Sequence, residues 1–163
     1  YGNGKEKAHK AMSELLEKIL SNDNMNTAYK RVCANKGASG VDEVTIEELG
    51  DYIKENWDGI REQIRSREYR PQPVRRVEIP KPGGGVRKLG IPTVMDRVIQ
   101  QGIVQVISPM CEPLFSEWSY GFRPNRSCEM AIRQLLIYLN EGYEWIVDID
   151  LEKIFSITYH RTS

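Results

Sequence analysis

The sequence predicts an α+β fold, mainly helical, with one β-hairpin and a single further strand that needs partners. Three observations predict it. Apolar residues recur at helical spacing through the first third of the chain. A Lys-Pro-Gly-Gly-Gly run at 81–85 separates two β-branched arms. A short β-branched run carrying acids, Trp145 to Asp150, follows the last helical segment.

Taken in order, Ala8, Met12, Leu15, Leu16 and Ile19 form one stripe, which predicts a helix over 5–20. Ser21 to Asn24 break it and offer caps for a second helix carrying Met25, Ala28, Tyr29 and Val32. That helix runs out at Asn35-Lys36-Gly37, and 37–42 reads as a loop. Thr45 and Glu48 have capping-box spacing and predict a third helix through about Ile64. Two prolines between Tyr69 and Pro73 exclude helix there. Val74–Pro80 and Val86–Ile91 are then the hairpin arms. Pro92 suits a first helical position for an apolar helix over about 93–107, which Pro109 and Pro113 end or kink. Ser127 caps a further helix through Leu139. Trp145 to Asp150 reads as a strand, and its exposed edge opens a route to a homodimer by self-pairing.

The chain has 163 residues, 40% hydrophobic and 28% charged, enough to bury a core and to exclude wholesale disorder. No apolar run approaches the ~18 residues of a membrane span, and the first ten residues are too polar for a signal peptide, so a cytoplasmic protein without a membrane partner is expected. The three cysteines are too scattered for a disulfide framework or a zinc site. His9 and His160 have no partners at catalytic or ligand spacing.

Net charge is zero, yet unevenly spread. Residues 1–60 carry 8 basic against 11 acidic side chains, 61–100 carry 10 against 4, and 101–163 carry 5 against 8. A basic middle between acidic flanks suits a face built for phosphate. Arg75, Lys81 and Arg87 recur at six-residue intervals along the hairpin, a spacing that could grip a polyphosphate or simply keep an exposed turn soluble. Asp148 and Asp150 leave one strand face together, and are either hard oxygen ligands or acids at a sheet edge. Between Ser119 and Ser127, two aromatics and two arginines precede a helix. They suit stacking on bases and clamping phosphates, or else pin the loop through Tyr120 and Phe122.

The order of these blocks resembles the bacterial group II intron-encoded reverse transcriptases, also called maturases. The segment 35–42 looks like the family's N-terminal block. The stretch from Tyr69-Arg70-Pro71 through Ile79-Pro80-Lys81-Pro82 to Arg87-Lys88-Leu89-Gly90-Ile91-Pro92-Thr93 and Asp96 to Gln101 is similar to its fingers hairpin and following helix. Ser119–Arg126 looks like the next block, and Val147 to Lys153 resembles the opening of the palm motif.

The resemblance implies fingers with an N-terminal extension over 1–142, the start of an incomplete palm over 143–155 with its first strand, and a divergent tail over 156–163. It implies RNA-directed DNA synthesis using Mg²⁺, with group II intron RNA, an RNA template, a DNA primer and dNTP as partners. By position, Asp150 is the catalytic, metal-binding aspartate and the Leu151 carbonyl the accompanying metal ligand. Lys81 and Arg87, with Arg75 nearby, match residues that grip the triphosphate, and Phe155 the aromatic that screens the sugar 2′ position. Lys36, Arg123, Asn125 and Arg126 are the RNA-binding candidates. Ser156 stands where the family usually has another aspartate, and no Tyr-Ala-Asp-Asp-type motif occurs in these 163 residues. The chain alone is therefore expected to be inactive. A purely RNA-binding module serving intron folding or splicing is the alternative.

Overall fold

A computed structural model describes the backbone over residues 2–149 and side chains over 6–149. It divides into two units, Tyr1–Leu114 and Phe115–Ser163.

The first unit is built on a long helix, α4 (Val94–Cys111), against which α1 (Gly2–Ile19), α2 (Asn22–Ala34) and α3 (Leu49–Arg65) pack. The buried residues follow helical spacing: Met25, Ala28 and Val32 on α2, and Val94, Met95, Val98 and Ile99 on α4, joined by Leu49 and Ile60 of α3. The α2–α4 crossing is close because Gly102 has no side chain. A Cβ there would lie 2.8 Å from the Met25 sulfur, and the Asn24 amide donates to the Gly102 carbonyl at 3.0 Å.

Helix ends follow local chemistry. Thr45 and Glu48 make both halves of the expected capping box: the Thr45 N–H donates to the Glu48 carboxylate at 3.0 Å and the Glu48 N–H to Thr45 Oγ1 at 3.3 Å. The Thr45 N–H, together with the Thr45 hydroxyl donating to the same carboxylate at 2.9 Å, holds the Glu48 carboxyl below its ordinary range. Regular helix begins only at Leu49, after a turn over 46–48. Two expectations need correction. Thr93, not Pro92, opens α4, because Thr93 Oγ1 accepts the Asp96 N–H at 3.1 Å as an N-cap does. Pro109 does not end that helix, although its missing N–H removes one bond to the preceding turn; α4 runs on to Cys111 before the 3₁₀ turn Glu112–Leu114, which holds Pro113.

The hairpin forms as expected: β1 (Arg75–Pro80) pairs antiparallel with β2 (Val86–Ile91), from Arg75 opposite Ile91 to Pro80 opposite Val86. Gly84 and Gly85 sit at φ 90° and 80°, which glycine tolerates at no steric cost, so the tip can turn tightly.

In the second unit Ser127 caps α5 (Cys128–Asn140), its hydroxyl accepting the Met130 N–H at 3.3 Å. Trp118, Tyr138 and Tyr143 form a ring cluster with successive centroids 5.9 Å apart. The strand expected over 145–150 is not formed among the described residues. Residues 145–149 have no ladder partner and are exposed, and a β-branched segment gains its hydrogen bonds only from a neighbour.

Candidate nucleic-acid interface

Two cationic elements of the first unit converge on the start of α4. The first is the loop after α2. Lys36 adopts φ 45°, turning the chain sharply with its side chain exposed. A Cβ at Gly37 would strike the Arg97 guanidinium. A Cβ at Gly40 would lie 2.6 Å from Thr93 Cα and 2.8 Å from Thr93 N. Gly40 is therefore required by close approach to backbone, whereas at Gly37 the obstacle is the end of a flexible side chain, and Arg97 Nη2 completes the docking by donating to the Ala38 carbonyl at 2.6 Å. Gly40→Ala should destabilise the chain by about 1–3 kcal/mol, because the obstacle is backbone and cannot rotate away. Thermal melts of the two proteins check this, and an unchanged midpoint would show that the loop does not dock as described.

The second element is the hairpin. Directly opposite residues share a face, so Arg75, Val77, Ile79, Arg87, Leu89 and Ile91 lie on one side, and Arg76, Glu78 and Lys88 on the other. Arg87 stands opposite Ile79, four residues from Arg75, which separates the two arginines by roughly 13 Å along the ribbon. Lys81 lies just past the end of β1, its N–H donating to the Gly85 carbonyl at 3.0 Å. Lys81 and Arg87 are thus neighbours at the tip end, while Arg75 stands at the root. All three are exposed. Sequence reasoning passed over Arg76 and Lys88, which put cations on the second face as well.

The root is fixed by a buried carboxylate. Asp96 is only 3% exposed and accepts from the Tyr69 hydroxyl at 2.6 Å, the Thr93 hydroxyl at 2.7 Å and the Gln72 N–H at 3.1 Å. Burial, then the bond to Asp96, pushes the Tyr69 phenol well above its usual pKa, so it remains a donor at every physiological pH. Sequence reasoning missed this group. The Thr93-x-x-Asp96 spacing signals a cap, but Tyr69 lies 27 positions away.

In the second unit, Arg123 is half-buried and donates to the Ser116 and Ser119 carbonyls at 2.6 and 2.9 Å, its guanidinium 5.2 Å from the Phe115 ring centroid. Arg126 lies 5.4 Å over Tyr120. Asn125 adopts φ 58° with its side chain exposed. Phe122, at φ 56°, is fully exposed, so it does not anchor the loop in a core. A bulky residue in the left-handed region is strained, and here the strain presents an aromatic ring to solvent. Asp148 is exposed. Asp150, Leu151 and Phe155 lie outside the described residues. Among the described residues no group of three or more His, Cys, Asp or Glu side chains could hold a metal ion, and no helix is long and apolar enough to cross a membrane.

Residues 79–161 match the family model described as reverse transcriptase (RNA-dependent DNA polymerase), a span that takes in Lys81, Arg87, the 119–127 loop and Asp150. The chain belongs to the reverse transcriptase family. Among curated relatives, it is 35% identical over 156 residues to protein YkfC of Escherichia coli (strain K12), an alignment covering 92% of this chain and 41% of that protein. It is 32% identical over 164 residues to the group II intron-encoded protein LtrA of Lactococcus lactis subsp. cremoris, covering 98% of this chain and 26% of that protein. It is 31% identical over 137 residues to the putative COX1/OXI3 intron 2 protein of Saccharomyces cerevisiae, covering 82% of this chain and 16% of that protein. The chain thus spans less than half the length of each of these relatives. As a reverse transcriptase homologue related to intron-encoded proteins, it has the α+β architecture expected of it: helices with one hairpin.

Proposed function

We propose that residues 1–142 are the fingers, with an N-terminal extension, of a cytoplasmic group II intron-encoded RNA-directed DNA polymerase, that 143–155 open its palm, and that 156–163 are a divergent tail. The observation that carries the reading is the hairpin: Lys81 and Arg87 stand together at the tip end of an exposed cationic ribbon, inside the span matched to the family. Its ligands are a dNTP, an RNA template with a DNA primer, and the intron RNA.

Lys81 and Arg87 neutralise the triphosphate, the lysine as a compact charge and the arginine as a planar fork, and Arg75 extends the contact from the root. Lys36, Asn125 and Arg126 meet RNA beside the hairpin, whose cations take RNA phosphate when no dNTP is bound, with Arg123 holding the loop that presents Asn125 and Arg126. Phe155 rejects ribonucleotides by its bulk. The Asp150 carboxylate and the Leu151 carbonyl are hard oxygens of the kind Mg²⁺ takes, and when bound the ion supplies positive charge where the primer hydroxyl attacks and pyrophosphate leaves.

Residues 1–163 alone should not extend a primer, because two-metal transfer needs several carboxylates and Asp150 is the single one this reading supplies. A form carrying the remaining palm and thumb should extend an RNA-templated primer. Asp150→Ala should abolish that, and Lys81→Ala should raise the KM for dNTP. Extension unaffected by Asp150→Ala would refute the assignment. RNA binding by the longer form with no extension at all would instead favour a non-catalytic intron-folding module.

A further inference from the structure

The hairpin is held in place by little besides its root. Every residue of β1 and β2 except Val77 and Ile91 is exposed, and a two-stranded ribbon is marginal in water by itself. At that root, Tyr69 and Gln72 hand two donors to Asp96, and Gln72 lies three residues before Arg75. The next residue along α4, Arg97, ties down the other cationic element. It donates to the Ala38 carbonyl, two residues after Lys36, with Gly37 bare beneath its guanidinium. One helical turn therefore carries both attachments.

We propose that the first turn of α4 is a positioning hub, in which Asp96 and Arg97 hold the cationic hairpin and the Lys36 loop in one fixed relation so that both engage a single RNA strand together. The proposal rests on the RNA-binding reading above. The chemistry favours a hub over ordinary packing. A carboxylate whose two oxygens take three donors costs free energy to bury unless all three remain in place, so the Asp96 cluster tolerates one arrangement of the 69–72 segment. Arg97 has one planar fork and a glycine-lined seat, which restricts the 36–40 loop in the same way. Asp96 and Arg97 are positioning residues here, because neither is placed on the ligand.

The test is the salt dependence of binding between the chain and a fluorescein-labelled oligouridylate, for the wild type, Tyr69→Phe, Arg97→Met, and the double variant Lys81→Ala/Arg87→Ala. Each phosphate contact contributes about 0.7 to the slope of log affinity against log salt on a single strand. Tyr69→Phe removes one hydroxyl and should reduce the slope by about one to two, because the hairpin cations no longer engage in register. Arg97→Met should reduce it by about 0.7 through Lys36. A smaller folded fraction would lower affinity by the same factor at every salt and leave the slope alone, so the slope separates positioning from stability. Unchanged slopes in Tyr69→Phe and Arg97→Met, with the double variant's slope reduced, would overturn the hub and leave the RNA reading standing. A wild type with no salt-dependent binding, or a double variant that behaves like it, would overturn both.

Discussion

RNA affinity of this chain should fall by roughly two orders of magnitude as salt rises from ~50 to ~200 mM. Five exposed or half-buried cations are proposed to meet phosphate: Lys36, Arg75, Lys81, Arg87 and Arg126. At about 0.7 per contact, five contacts give a slope near −3.5, and a fourfold rise in salt then costs about a hundredfold. Arg123 is left out of the sum because the Ser116 and Ser119 carbonyls already occupy its guanidinium. A filter-binding titration measures the slope directly. A flat line would mean that base contacts or apolar packing, rather than the cationic ribbon, carry whatever binding exists.

The largest loss of stability should come from Leu49→Ala. Leu49 has no exposed surface, opens α3, and packs into the cluster formed by α2 and the first turns of α4. Truncating a fully buried leucine removes its transfer free energy and leaves a cavity, together about 2–5 kcal/mol. For a chain of this size that is a drop of about 5–15 °C in melting temperature. Ile79→Ala is the control, since Ile79 is 43% exposed on the hairpin and should shift the midpoint far less. Equal shifts in the two variants would show that the core does not centre on α2, α3 and α4.

Where a helix starts was readable because the atoms that start it are neighbours in the chain. Thr45 with Glu48 and Ser127 with Met130 bond within three residues, so the spacing alone states the contact. The hairpin was readable for the same reason, its glycine tip and β-branched arms spanning a handful of positions. Pro92 and Thr93 were harder to tell apart, since both suit a helix start and only the Thr93–Asp96 bond decides between them. The catalytic register was readable only as a resemblance, and Asp150, Leu151 and Phe155 lie outside the described residues.

What the sequence by itself determined is therefore local: the five α-helices with the Thr45 and Ser127 caps, the hairpin arms, the cationic middle, and the apolar stripes that became the core. The tertiary structure alone decided which distant groups meet. Nothing in the order of residues says that Tyr69 would reach Asp96, that Gly40 would lie under Thr93, or that Arg97 would hold Ala38 from 59 positions away. It also turned Arg123 inward onto loop carbonyls and left Phe122 in the open. The physical reason is one of range. Capping and turn formation are settled by bonds within a few residues, whereas a buried carboxylate, a bare glycine or a strand partner acquires its meaning only from the segment that the folded chain brings against it.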